Sequence, residues 1–350
     1  MGTTTDRVSS MSPRLDAKPW GGQRLARFGF DFDPAERIGE ALVTAGDAAI
    51  ASGFGEGQTL DEVVTGDPLL AGSLGSAAVS GKPIFPLLVK LIDANENLSI
   101  QVHPDDARAD RVGKLGKTEA WFVLAADPGS SLYLGMALST TQEDIQASAA
   151  VGDGSMAELS RVIHANANRT VLIPAGTIHA LGAGVMVYEI QQPSDITYRL
   201  DDWGRRDAQG RPREMHVEAG LEASRLTEVP EWIEPVSLKP AIGERHLLVA
   251  CRYFGLERVA LPAGGTSEIG SESSPAVVTV LDGSCDLGGQ SLQRGRSAVV
   301  WPGSGTADLR AAEPLVALVA IVPDVAALEA RLEALGVPAS QRRAIVRSDL

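Results

Sequence analysis

Three short segments carry residue types that suit metal chemistry. The first is Gln101-Val102-His103-Pro104-Asp105-Asp106, at the end of an alternating run from Leu98. In a strand, residues two apart project to one face, so Gln101 and His103 can reach the same ion while Leu98, Ile100 and Val102 face the opposite way. The second is Gly116-Lys117-Thr118-Glu119-Ala120-Trp121, which sets a carboxylate beside a lysine at a strand start. The third is Pro174-Ala175-Gly176-Thr177-Ile178-His179-Ala180-Leu181-Gly182-Ala183-Gly184, a tight turn delivering a histidine. Together Gln101, His103, Glu119 and His179 offer two nitrogens and two oxygens, a borderline set that Zn²⁺ accepts, with positions left for water or substrate. A neutral Gln in place of a third anion or imidazole leaves such a site at net +1, which favours sugar oxygens and an enediolate. His164, His216 and His246 show no partner pattern and are left unassigned.

The P-x-G-x-x-H turn resembles the second motif of the cupin superfamily. The segments Leu98 to Asp105, Gly116 to Glu119, Ile173 to Ala180, Glu189-Ile190-Gln191-Gln192 and Ser194-Asp195 to Arg199 resemble type I mannose-6-phosphate isomerases, in their shorter bacterial branch. Pro19-Trp20-Gly21-Gly22 and Ile38-Gly39-Glu40 match as well. The specific motifs cover about residues 17 to 206; beyond that only the layout is shared. The resemblance implies that Gln101, His103, Glu119 and His179 bind one zinc per chain. It implies further that Lys117, Glu189, Asp195, Arg199, Ser99 and Trp20 line a sugar-phosphate pocket. Two departures stand out: Ala41 and Leu42 where the family often has Trp, and Leu181 where longer members carry Tyr.

The implied reaction interconverts mannose 6-phosphate and fructose 6-phosphate through a cis-enediol. Arg199 and Lys117 are expected to stabilise phosphate and enediolate, being permanent or nearly permanent cations. Glu189 is the candidate acid/base, or else a salt-bridge partner of Arg199. Arg205 and Arg206 are placed as phosphate contacts or as a solvated loop, Asp201 and Asp202 as surface charges, and Trp121 and Trp203 as packing. Two rival readings are a metal-dependent cupin oxygenase and a sugar-phosphate-binding cupin without turnover. The first expects three His and His-x-His spacing, where this chain has Gln101. The second is opposed by the intact ligand set.

The surrounding sequence must position these residues. Of 350 residues, 44% are hydrophobic and 22% charged, as in globular chains. The net charge of −14 argues against a nucleic-acid partner and requires a local Lys/Arg cluster to draw in a phosphate. Cys251 and Cys285 are read as reduced thiols, no apolar run is long enough for a membrane span, and a cytoplasmic monomer is expected. Many short strands with Gly and Pro turns predict a mainly β chain of two tandem cupin (jelly-roll) barrels. The expected order is a mobile tail over 1–16, a catalytic barrel over 17–235, a second barrel without metal ligands over 236–323, and a helical tail over 324–350. The catalytic barrel is expected to carry a helical insertion near 138–166. Thr59/Glu62, Thr140/Glu143 and Ser155/Glu158 are read as helix caps, with Met156, Leu159 and Ile163 at helical spacing.

Overall fold

The computed structural model describes residues 7–207, 209–303 and 305–350. Among them, strands far outnumber helices, as the short alternating runs and Gly turns demand. The part of the chain expected to form the catalytic barrel is built from two sheets. One has seven strands in the order Trp232–Ile233, Thr170–Ile173, Glu119–Ala126, Val185–Gln191, Leu88–Ala94, Ile38–Thr44 and Arg14–Gly22. The other has five, in the order Tyr198–Asp201, Ile100–Val102, His179–Leu181, Ser131–Met136 and Ser160–His164. Ile100 and Val102 are fully buried in an apolar cluster with Leu200 and Ile178, so the predicted alternation holds and Gln101 is left on the interior face.

The second barrel pairs a nine-stranded sheet with a four-stranded one. It takes two strands from the N-terminal part of the chain, Val8–Ser12 and Ala49–Gly53. The tail expected over 1–16 is therefore corrected. Residues 1–6 lie outside the described residues, but Val8–Ser12 is hydrogen-bonded between Ser297–Val300 and Ala49–Gly53. Trp301 Nε1–H donates to Ser9 Oγ at 2.7 Å. Val8 and Met11 are buried, and burying them between two strands offsets the entropy of ordering that segment. Residues 14–16 already belong to the catalytic barrel. One large apolar cluster, including Leu60, Phe85, Tyr188, Val277, Trp301 and Leu318, joins residues of both barrels.

The helical expectations hold in part. Thr59 and Glu62 form a reciprocal capping box before Leu60–Gly66. In the insertion the cap is Thr141 with Asp144, one residue later than expected, and it starts Gln142–Val151. Ser155 makes no side-chain cap, and Met156–Leu159 is a single turn. Ile163 lies instead on the strand Ser160–His164, where pairing with Ser131–Met136 overrides the helical spacing. The C-terminal tail holds Val325–Ala334, capped by Asp324, and a second helix, Ala339–Ile345. Its last strand, Val346–Arg347, pairs with Glu244–Cys251. Among the described residues no helix is long and apolar enough to cross a membrane, and Cys251 and Cys285 are both free and buried.

Candidate active site

Sheet register brings the predicted residues together. On the five-stranded sheet, His179 pairs with Gln101 and Gln101 with Arg199, so all three occupy one cross-strand row. On the seven-stranded sheet, Glu189 pairs with both Trp121 and Lys90, giving a second row. Glu119 stands two residues before Trp121 and thus shares its face. Gly176, at φ +93°, makes the turn before His179, a conformation a side chain would strain.

The two rows meet at a buried cluster. The Nε2 atoms of His103 and His179 lie 3.4 and 3.3 Å from the two carboxylate oxygens of Glu119. Gln101 Nε2 is 3.5 Å from His179 Nε2, and Ser99 Oγ donates to Gln101 Oε1 at 3.3 Å. His103 Nδ1 sits 2.8 Å from the Ile196 carbonyl, and His179 Nδ1 2.9 Å from the Thr177 carbonyl. A carbonyl can only accept, so these contacts assign the proton to Nδ1 in each ring and turn the Nε2 lone pairs inward. Both oxygens of Glu119 are buried without a hydrogen-bond donor of good geometry. Two inward imidazole nitrogens, an amide and an unsatisfied carboxylate are what a divalent metal of zinc type would occupy, so the residues fit such an ion.

Charge is arranged around this cluster. Lys117 Nζ lies 2.9 Å from Glu119 Oε2 and 3.1 Å from His103 Nε2. Burial pushes the Glu119 carboxyl up, but Lys117 and the two histidines overcome it and hold Glu119 well below the usual carboxylate range. Burial, then Lys117, depresses His103 to about 3. Glu189 behaves oppositely: burial and the nearby Glu119 raise its pKa. Lys117, Lys90 and the Trp121 indole oppose that rise, the indole N–H donating at 2.9 Å and Lys90 Nζ standing 3.6 Å away. Trp121, expected only to pack, therefore also orients Glu189, and Lys90 takes the place expected of Arg199 as its ion-pair partner.

A cleft of about 460 Å³ opens beside the cluster. Ser99, Gln101, Lys117, Glu189, Trp20, Asp195 and Arg199 all line it. Asp195 stands exposed at the rim and pairs with Lys114 at 2.6 Å. Arg199 is half-buried; its Nη1–H donates to the Glu214 carbonyl, while its Nε is buried without a partner. His216, unassigned from sequence, exchanges backbone-linked hydrogen bonds with Arg199 and fixes its strand. Six cations line the cleft against four carboxylates, a local excess of positive charge on a chain of net −14. Four of those cations, Arg14, Lys18, Lys90 and Arg213, were not found from sequence. Lys90 had a signal, being the lone charge in the apolar run Pro86 to Ile92.

Two expectations are corrected. Arg205 does not line the cleft: its guanidinium binds Asp202 Oδ1 at 2.6 Å and the Asn97 carbonyl. Asp201 and Asp202 are not surface charges but buried ones. Asp201 accepts the backbone N–H groups of Gly154 and Trp203, and Asp202 neutralises Arg205 and Arg213. Burying a carboxylate is tolerated only where such donors surround it.

Comparison with known proteins agrees with this geometry. Residues 8–127 match the family described as phosphomannose isomerase type I, catalytic domain. A mannose-6-phosphate isomerase from Streptococcus mutans is 34% identical, covering 78% of this chain and 84% of that protein. The solved mannose 6-phosphate isomerase of Bacillus subtilis superposes with a TM-score of 0.78 at 27% identity, over 90% of this chain and 99% of that one. A zinc-bound mannose 6-phosphate isomerase shares the fold at TM-score 0.67 and 15% identity, over 90% and 99% of the two chains. Motifs, fold and this extended similarity together make the chain a member of the type I mannose-6-phosphate isomerase family.

Proposed function

We propose that the protein interconverts mannose 6-phosphate and fructose 6-phosphate, with one zinc per chain held by Gln101, His103, Glu119 and His179. The observation that carries this reading is the convergence of those four side chains with Lys117 and Glu189 beside a cleft enriched in cations. Zinc, when bound there, supplies Lewis acidity toward the sugar oxygens at C1 and C2.

The chain's own residues do the rest. The carbon acid must lose a proton from one carbon and regain it at the next, and Glu189 is the group suited to carry it. Burial and the nearby Glu119 raise its pKa above the usual carboxylate value, one oxygen is held by the Trp121 N–H, and the other is buried without a donor. Lys117 and Arg199 place positive charge where an enediolate oxyanion would develop. Arg199, whose Nε is without a partner, offers the phosphate a counter-charge, and its guanidinium fork suits phosphate oxygens. Trp20 is buried on the cleft wall and excludes water beside Ser99 and Gln101. Two buried free thiols suit a reducing, cytoplasmic setting, and a monomer is the working unit of this reading.

The test is a coupled assay of mannose 6-phosphate turnover on protein as purified, after chelation, and after zinc is restored. Activity lost on chelation and recovered with zinc is the expected result. A folded, zinc-loaded protein with no turnover would overturn the assigned activity. Metal analysis and sedimentation equilibrium check the one-zinc stoichiometry and the monomer.

A further inference from the structure

The second barrel carries no part of the ligand cluster, yet two of its side chains reach the loops that hold it. Asp106 lies three residues beyond His103 and collects four donors. Its Oδ1 accepts from the Gly116 backbone N–H at 2.9 Å and from Gln192 Nε2 at 3.0 Å. Its Oδ2 accepts from the Tyr253 hydroxyl at 2.6 Å and from Arg252 Nη2 at 3.3 Å. Tyr253 belongs to the turn between Glu244–Cys251 and Gly255–Leu261 of the second barrel and is 7% exposed. Arg252 is mostly exposed, and its ion pair contributes little.

The other partners of Asp106 lead to the metal ligands. Gln192 Oε1 accepts from the Thr118 N–H at 2.9 Å, so one side chain joins Asp106 to the residue between Lys117 and Glu119. Thr118 Oγ1 accepts from the Ala175 N–H at 3.3 Å, and the His103 carbonyl accepts from Gly176 N–H at 2.8 Å. These bonds tie the turn before His179 to the segments bearing His103 and Glu119. Gly116 sits so close to the Asp105–Asp106 backbone that a Cβ there would fall 2.6 Å from Asp106 N, which requires glycine. The segments bearing His103 and Glu119 thus meet at Asp106, the turn before His179 is tied to both, and the one strong, sheltered bond of Asp106 out of the catalytic barrel goes to Tyr253.

We infer that the Tyr253–Asp106 hydrogen bond is a positioning device through which the second barrel sets the spacing of the metal ligands. Asp106 is the positioning residue, Gln192 its link to the Lys117–Glu119 segment, and Tyr253 its anchor. The inference rests on the metal-dependent reading above. It gives the second barrel a role in the chemistry without a side chain in the cleft.

Tyr253→Phe removes only the hydroxyl, and Asp106→Asn keeps the shape while losing an acceptor for it. Zinc affinity is read by competition with a chromophoric chelator, beside kcat, KM and the melting temperature of the zinc-free protein. Each variant is expected to bind zinc roughly tenfold more weakly, the low end of what direct hydrogen-bond partners of metal ligands contribute. The double variant is expected to lose little more than either single one, because both break the same bond. At saturating zinc, kcat should fall while KM stays within about twofold. Variants that melt earlier yet bind zinc as tightly as the unaltered protein would make the bond a clamp between barrels and overturn the inference. An additive double variant would also overturn it. No zinc uptake by the unaltered protein would overturn the metal-dependent reading itself, which separates the two failures.

Discussion

Glu119→Gln tests the centre of the site, because the replacement keeps the shape and removes one charge. Two effects compete in the metal-free protein. Burial of a carboxylate is costly, so neutralising it should stabilise; but Lys117 Nζ lies 2.9 Å away and is itself 5% exposed, so neutralising Glu119 strands a buried ammonium. The depressed pKa of Glu119 decides between them, since the surrounding positive groups already outweigh its desolvation. Removing one partner of such a pair costs about 3–5 kcal/mol, and that loss is expected in urea unfolding of zinc-free Glu119→Gln. Adding Lys117→Met to the same chain should recover most of it, because no uncompensated charge then remains. Zinc gives the second reading. At a thousandfold excess over Kd a ligand specific for the folded state stabilises by about 4 kcal/mol, a rise of several degrees in Tm. The unaltered protein should show that rise, and Glu119→Gln should lose most of it. A variant equal to the parent both in zinc-free stability and in its zinc increment would refute the ion pair and the ligand assignment together.

Glu189→Gln should retain zinc in chelator competition while kcat falls roughly 10²- to 10⁴-fold, the usual worth of a positioned acid/base; unchanged kcat removes Glu189 from the proton transfer. Arg199→Ala and Arg205→Ala form a contrast drawn from geometry. The first should keep zinc and lose at least about tenfold in kcat/KM, as expected where a cation meets a developing charge. The second should cost stability but leave kcat/KM unchanged, since Arg205 faces Asp202 and Asn97. Asp202 predicts a pH effect. Burial would raise its carboxyl, but Arg213 and Arg205 hold it below the usual range. A depressed folded pKa contributes stability that is present above the unfolded value of about 4 and lost as pH falls through the folded one. Asp202→Asn should therefore lower stability at pH 7 and flatten the acid limb of the stability–pH curve; an unchanged acid limb would exclude the contribution.

Much of the site was legible because its chemistry is local in sequence. Gln101 and His103 share a face by strand alternation, Lys117 and Glu119 sit together at a strand start, and Gly176 makes a turn whose conformation needs glycine. Cap chemistry likewise placed Thr59. Where one neighbour pattern competed with a long-range pairing, the pairing won. Val8–Ser12 reads as a polar tail until it lies between strands 297–300 and 49–53, and Ile163 follows helical spacing until Leu132 pairs with it.

The residues that only the tertiary structure revealed have their partners far along the chain. Lys90 meets Glu189 through register between Leu88–Ala94 and Val185–Gln191. Arg213 meets Asp202 across a loop, and Tyr253 meets Asp106 from a different barrel. Side-chain type and spacing within a segment determine which groups can face one way, and that is enough to nominate ligands. Which opposing face they meet depends on sheet register and barrel packing, and those are decided by burying apolar faces across the whole chain.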